Sequence, residues 1–237
     1  MDLGGESTQI AYQFVPRNAG EEVDFAHDIF SKSFLSYGAK EAQFRFENYL
    51  MSNREVLRSS FDNRTNKLFV PNPCNNEGLV GKTSTYDDLF HEGTGNVGDD
   101  GDDHDQLDKC ESILTALLQG DTPCVDTPTS SESYSVMLEI ECSLWSLSIP
   151  TIHGDFVAMS LFFYVVDFVK AIYLLEDHVQ PSVEELKAYG RSFCSLKWSE
   201  VKELYGGKHR FTSDEVLKQR CFQVVEEAEI NARSRTL

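Results

Sequence analysis

The residues best equipped for chemistry stand at the start of the chain, Met1-Asp2-Leu3-Gly4-Gly5-Glu6-Ser7-Thr8-Gln9-Ile10. Two adjacent glycines permit a turn with positive φ and no side-chain cover. The bare N–H groups of such a turn can approach an anion closely, as in a backbone nest. Asp2 stands just before it, with oxygens of the kind that hold a hydrated divalent cation. Ser7, Thr8 and Gln9 follow, with neutral polar groups able to orient a phosphate or a water. Ile10-Ala11-Tyr12-Gln13-Phe14-Val15 reads as a strand ended by Pro16. The expected unit is a strand end, a glycine turn and a returning strand. An ordinary hairpin with a Gly-Gly turn has the same spacing, and the residues alone do not separate the two.

The elements that must position these groups follow from pattern. A polar loop covers 18–22, and 24–35 is expected to hold a second hairpin. Residues 40–58 read as a helix with Ala42, Phe46, Tyr49 and Leu50 on one face. The stretch 63–78 is loop-like, punctuated by Pro71, Pro73 and Gly78. Residues 86–92 fit a short strand or helix equally. The patch 95–108 holds six Asp, yet no register supplies the Gly and Glu of a calcium loop, so it reads as a solvated insertion. A helix is expected over 110–118, a loop over 121–135, a β-leaning run over 136–140, a loop over 150–155 and a core helix over 156–175. Ser182-Val183-Glu184-Glu185 is a capping box opening a helix that ends near Gly190. A helix over 198–205 stops at Gly206-Gly207, and Thr212-Ser213-Asp214-Glu215 opens another through Cys221. Alternating sheet and helix indicates an α/β fold.

Composition bounds the function. The 237 residues, 41% hydrophobic with 16 Phe, can bury a sizeable core. A net charge of −18 argues against nucleic-acid binding, which draws largely on clustered Lys and Arg. An acidic protein that takes an acidic substrate needs backbone donors and a divalent cation to offset the charge. Cys74, Cys110, Cys124, Cys142, Cys194 and Cys221 form no Cys-x-x-Cys pair, which argues against a zinc or redox motif. Asn63-Arg64-Thr65 is a glycosylation sequon. The apolar stretch 156–175 contains Asp167 and Lys170 and reads as core rather than membrane span.

The first residues resemble the second phosphate-binding loop of the nucleoside triphosphate diphosphohydrolases, the apyrase family of ectonucleotidases. Ser33-Phe34-Leu35-Ser36-Tyr37-Gly38 with Glu41-Ala42 is similar to that family's His-Ser-Phe-Leu-Cys-Tyr-Gly segment. Asn72-Pro73-Cys74, Gly93-Thr94-Gly95-Asn96, Cys110-Glu111-Ser112-Ile113-Leu114 and Gly154-Asp155-Phe156 fall in family order. So do Ser160-Leu161-Phe162-Phe163-Tyr164 and Phe193-Cys194 with Trp198. The resemblance implies an actin-like, ribonuclease-H-like lobe over 1–222, carrying 95–108 as an insertion, with 223–237 as a divergent tail. In the family a first phosphate loop and a glutamate base precede the glycine loop. The chain is therefore expected to be partial, most of a C-terminal lobe, with membrane anchors only in segments it does not include.

The resemblance also assigns roles. Asp2 would hold Ca2+ or Mg2+ through water, Gly4 and Gly5 would donate to phosphate, and Ser7 and Gln9 would hold the attacking water. Phosphoryl transfer of this kind is mostly positioning and charge neutralisation. Tyr164 would stack on the nucleobase, although its apolar neighbours equally fit a core position. Ala39 or Lys40 replaces one family arginine, and Val216 lies nearest another. Glu6 replaces a small residue; it either repels the polyphosphate or points harmlessly outward. Family order pairs Cys74–Cys110, Cys124–Cys142 and Cys194–Cys221, while Ser36 stands where a further bridge would begin; six free thiols are the cytosolic alternative. The implied activity is metal-dependent hydrolysis of extracellular or luminal nucleoside tri- and diphosphates to monophosphates, weak in this chain alone, with glycosylation at Asn63 and homo-oligomers left open. The alternatives are a catalytically dead nucleotide-binding or interaction chain, and an exopolyphosphatase-like relative, whose loop carries Glu where this chain has Gln9.

Overall fold

The protein is described here from a computed structural model covering residues 1–13, 28–35, 37–53, 60–82, 89–94, 105–119, 140–142, 148–150 and 157–235. The strands are β1 (Asp2–Leu3), β2 (Ser7–Gln13), β3 (Ile29–Leu35), β4 (Ser60–Asp62), β5 (Lys67–Asn72), β6 (Val80–Lys82), β7 (Leu89–Gly93), β8 (Ile140–Cys142), β9 (Ser148–Pro150) and β10 (Met159–Ser160). The helices are α1 (Ala39–Ser52), α2 (Asp105–Gln119), α3 (Leu161–Ile172), α4 (Val183–Cys194), α5 (Trp198–Tyr205), α6 (Asp214–Leu217) and α7 (Arg220–Arg235). The α/β reading holds.

One sheet has the order β10-β1-β2-β3, with β1, β2 and β3 antiparallel and β10 parallel to β1. Its period-two pattern is clear in β2, where Thr8, Ile10 and Tyr12 are buried while Ala11 and Gln13 are exposed. Leu3, Ile10, Tyr12 and Phe34 pack with Leu118, Phe162 and Ile230 beneath it. A second sheet, β4-β5-β7-β6, is joined to the helices by the segment after β5. There Asn76, fully buried, donates to the carbonyls of Phe193 (2.8 Å) and Leu196 (3.1 Å) and so closes the end of α4. The strands β8 and β9 form a small separate ribbon.

Several boundaries differ from the sequence reading, each for a local reason. The loop expected over 63–78 contains β5, because Asn66 takes φ 55° and turns the chain into a hairpin with β4. In the undecided 86–92, residues 89–92 lie in β7, held parallel to β5, and 86–88 lie outside the described residues. Helix α2 begins inside the acidic patch, at Asp105, and residues 95–104 lie outside the described residues. The helix expected over 156–175 is shorter, because Met159 and Ser160 pair with β1 first. Helix α4 continues past Gly190, where a Cβ would stand 2.9 Å from Val224; the glycine is there for close packing of α7 rather than as a stop. Ser213 rather than Thr212 caps the short α6. The loops expected over 18–22, 121–135 and 151–155 lie outside the described residues.

The largest departure is at the end. Residues 223–235, expected as a charged tail, lie in α7, and 221–230 are buried on every side. Cys221, Phe222 and Val225 join one cluster, Val224 and Ala228 a second, and Ile230 the one under the glycine turn. Glu229 accepts from Thr115 at 2.9 Å and from Lys187 at 2.5 Å. Glu226 and Glu227 are fully buried, and their carboxylate oxygens have no hydrogen-bond partner among the described residues. Burial pushes the Glu226 carboxyl up to about 8, against the pull of Arg45. Burial and the neighbouring Glu226 raise Glu227 well above the carboxylate range, against Arg220. The folded state therefore holds protons that the unfolded chain has lost, so stability is greatest below the unfolded carboxylate value and falls as pH rises toward about 8. Thermal melts from pH 4 to 9 should show Tm declining across this window, and Glu226→Gln should flatten the decline. A Tm that rises with pH over the same range would contradict the placement of α7.

Candidate functional site

The glycine turn joins β1 to β2, and its register sets the site. Asp2 lies opposite Gln9, and Leu3 opposite Thr8. The Gly4 N–H closes the turn on the Ser7 carbonyl at 3.0 Å. The turn's carbonyls face the start of α1: Ala39 N–H donates to Gly4 at 2.9 Å, and Lys40 and Glu41 donate to Gly5 at 2.8 and 3.4 Å. These are amides that a helix N-terminus leaves without intrahelical partners, and Gly38 offers them no side-chain cap. With the carbonyls committed to α1, Gly5 and Glu6 N–H take no backbone acceptor among the described residues. Neither Gly4 nor Gly5 takes a positive φ, so the turn does not use the left-handed freedom the sequence suggested. What the structure shows is a hairpin turn whose carbonyls cap α1.

Ser7 and Gln9 lie on one face of β2, two residues apart, and the Gln9 amide donates to Ser7 Oγ and, at 3.4 Å, to Ser33 Oγ. On the opposite face Thr8 is buried and donates to the Tyr37 carbonyl at 2.5 Å, tying β2 to the segment before α1. That segment approaches closely: a Cβ on Gly38 would collide with backbone atoms of Gly5, Glu6 and Ser7. Glu6 is exposed. Asp2 Oδ1 is buried without a hydrogen-bond partner among the described residues. A carboxylate oxygen left in that state fits a cation or its water, which would supply the missing partner. Among the described residues no three His, Cys, Asp or Glu side chains converge on a metal; a cation here would depend on Asp2, water and the ligand's own oxygens.

Helix α3 starts directly from β10, whose Ser160 pairs with Leu3 and holds φ 57°. A serine in the left-handed region costs about 1–3 kcal/mol, a strain often found beside functional segments. Of the three aromatics that follow, Phe162 is fully buried, while Phe163 and Tyr164 are 48% and 41% exposed. Tyr164 is thus not a core residue; it packs edge-on against Phe211 at 5.3 Å, with the Arg210 guanidinium 4.5 Å over the Phe211 ring. Asp167 on α3 accepts from His209 Nε2 (3.1 Å) and Arg210 (3.2 Å). Burial, with Arg220 and Arg210, pushes His209 below its usual value despite Asp167.

The structure brings Asp2, Gly4, Gly5, Ser7 and Gln9 together and places Tyr164 on the helix packed against β1. Asn63 is exposed at the β4–β5 turn in the other sheet, apart from the site. Cys74–Cys110 and Cys194–Cys221 are bridged, with Cα separations of 5.1 and 5.2 Å, and all four cysteines lie in one core cluster. Cys124 lies outside the described residues. Sequence reasoning missed Phe211 and weighed Lys40 only as one of two replacements for an arginine. The Lys40 stem in fact lies along the turn, where a Cβ on Gly5 would stand 3.3 Å from its Cδ. Its position in the first turn of α1 was the available signal.

The sequence profile of the GDA1/CD39 (nucleoside phosphatase) family matches residues 1–229. The chain belongs to this family. Relatives include probable apyrase 4 of Arabidopsis thaliana, 26% identical over 234 residues, and ectonucleoside triphosphate diphosphohydrolase 1 of Mus musculus, 27% over 240 residues. Each match covers 94% of this chain and 40% of the relative. The Golgi apyrase of Saccharomyces cerevisiae is 23% identical over 94% of this chain. A crystal structure of nucleoside triphosphate hydrolases from Neospora caninum superposes with a TM-score of 0.52 at 14% identity, over 98% of this chain and 50% of that one. That likeness shows the fold, an actin-like one, and the family match takes in all but the last turns of α7. Among the described residues no helix is long and apolar enough to cross a membrane.

Because a Cβ on Gly38 would meet the Gly5–Ser7 backbone within 2.5 Å, Gly38→Ala should force the turn off α1. Overpacking of this kind costs about 1–3 kcal/mol, or a Tm loss of about 2–12 °C, visible by calorimetry. An unchanged melt would mean that the close approach is slack.

Proposed function

We propose that this chain provides one lobe of a cation-dependent hydrolase that converts nucleoside tri- and diphosphates to monophosphates in an extracellular or luminal setting. The observation that supports the reading is that α1 takes the carbonyls of Gly4 and Gly5 while the Gly5 and Glu6 N–H groups have no backbone acceptor among the described residues, which leaves them for phosphate oxygens. These amides hold phosphate oxygens without needing cationic side chains, which suits a chain of net charge −18. Lys40 adds one positive group on the rim. Gln9, fixed by Ser7 and Ser33, orients a water toward the terminal phosphorus, and Ser7 Oγ takes that water's second hydrogen bond. A bound Ca2+ or Mg2+ supplies charge neutralisation for the phosphate oxygens, and Asp2 is the residue that would hold it. Tyr164 with Phe211 offers the base a stacking surface that tolerates any base. Two bridges in the core suit an oxidising compartment. The chain spans about 40% of the relatives' length, and no carboxylate is hydrogen-bonded to Ser7 or Gln9 among the described residues. The general base is therefore the function least provided for here.

Two measurements test this. Phosphate release from ATP and ADP by these residues alone should be about 10²–10⁴-fold slower than when a carboxylate base is supplied by the rest of the site. Robust turnover would show that these residues hold a base of their own. Calorimetric titration with a non-hydrolysable ATP analogue should show binding strengthened by Ca2+ or Mg2+. Asp2→Ala should remove that cation dependence, whereas Gln9→Ala should leave binding intact and affect only turnover. Cation dependence that survives Asp2→Ala would reduce the turn to an ordinary hairpin.

A further inference from the structure

Residues His209, Arg210, Phe211 and Thr212 form a tight turn between α5 and α6, closed by the Thr212 N–H on the His209 carbonyl at 3.2 Å. Its two central side chains face solvent: Arg210 is 69% exposed and Phe211 42%. The groups behind them are tied down. His209 Nδ1 accepts from the Phe211 N–H at 3.4 Å and lies 3.0 Å from Thr212 Oγ1. Arg220, fully buried, donates to the same Thr212 oxygen from Nε and Nη2, at 3.2 and 2.8 Å. Those two bonds take the hydroxyl's acceptor sites, so its own proton goes to Nδ1 and the imidazole proton sits on Nε2. From there it is donated to Asp167 Oδ2 at 3.1 Å. Burial lowers the His209 pKa in spite of Asp167, which suits the neutral ring. Arg220 Nη2 also reaches the Phe211 carbonyl at 3.4 Å, so the Phe211 backbone is held at both ends.

Asp167 takes both sides of this turn, His209 on Oδ2 and the Arg210 guanidinium on Oδ1 at 3.2 Å. It stands on α3 three residues after Tyr164, a spacing that puts the two on one face of the helix. One carboxylate on the helix that carries Tyr164 thus clips on the segment that carries Phe211. The two rings meet at 5.3 Å and 64°, an open corner with both rings accessible. Tyr164 lies about 6 Å of helix rise beyond Ser160, which pairs with Leu3 beside the glycine turn. A second ring set across the first meets the edge of a flat ligand while the first meets its face. We infer that Asp167 and His209 are positioning residues for nucleobase recognition, fixing Phe211 and Arg210 as the second wall of the base site at Tyr164. The inference rests on the proposed role of Tyr164 as a base platform. It assigns the wall to the turn and its rigidity to groups that touch no ligand.

Calorimetric titration with a non-hydrolysable ATP analogue and with inorganic tripolyphosphate, each with Mg2+, isolates the contribution of the base. The unmodified chain should prefer the analogue about tenfold, the worth of one stacked base. Phe211→Ala removes the wall itself. Asp167→Ala breaks the clip from a helix position that alanine favours. Each should erase the preference while tripolyphosphate binds as before. His209→Gln, whose amide can still donate to Asp167, should retain most of it. A preference that survives either alanine variant would overturn the inference, as would an Asp167→Ala chain that loses both ligands equally, the mark of a merely structural residue. Equal affinity for the two ligands in the unmodified chain would overturn it and leave the reading of the glycine turn standing. Binding of neither ligand would overturn that reading and the inference with it.

Discussion

Three amide protons at the start of α1 organise the site. A helix N-terminus must find acceptors for its first N–H groups, and here it takes the carbonyls of Gly4 and Gly5 in place of a capping side chain. A peptide unit whose carbonyl points one way presents its N–H the other way. Satisfying the helix leaves the Gly5 and Glu6 amides without a backbone acceptor among the described residues. The same contact explains the glycines on both sides: Gly4 and Gly5 make the turn, and Gly38 allows the helix to reach it. Thr8, bonded to Tyr37 from the buried face of β2, locks the approach.

The site was largely legible because its parts are close in sequence. Asp2 through Gln9 form one hairpin, and hairpin register follows from turn length. The helices also announced themselves where local chemistry governs them, as at Ser182 and Glu185, whose reciprocal bonds were written in the sequence. What could not be read depends on distant partners. The strand β5 lay hidden because Pro71 and Pro73 are turn formers, yet a parallel partner twenty residues on holds the chain extended. Gly190 looked like a stop because nothing nearby shows that Val224 needs the space. Tyr164 sits in an apolar run that reads as core, and only the helix phase, fixed by the start at Leu161, separates it from buried Phe162.

Helix α7 is the strongest case of tertiary context overriding composition. Read alone, Gln223-Val224-Val225-Glu226-Glu227-Ala228-Glu229 belongs on a surface. In the fold it runs through three core clusters. Arg220, fully buried, donates to Thr212 and Gln223 and so meets the cost of its own burial. Glu226 and Glu227 do not, and the apolar contacts of the three clusters together with the Cys194–Cys221 bridge at the base of the helix offset that cost. Such a bridge, closing 27 residues, contributes about 3–4 kcal/mol in the chain-entropy account.

The pairing of β1 with β10 also sets an order of assembly. The Met1 ammonium donates to the Val157 carbonyl at 2.8 Å, and Asp2 lies between Gln9 and Met159. One flank of Asp2 thus arrives from a segment more than 150 residues later. Closing a loop of that length is entropically costly and slow. During synthesis the glycine hairpin and α1 can form early, whereas the pairing of β1 with β10 waits until residues 159–160 emerge. The contacts on the two sides of Asp2 are therefore completed at different times, the Gln9 side with the hairpin and the Met159 side only with β10.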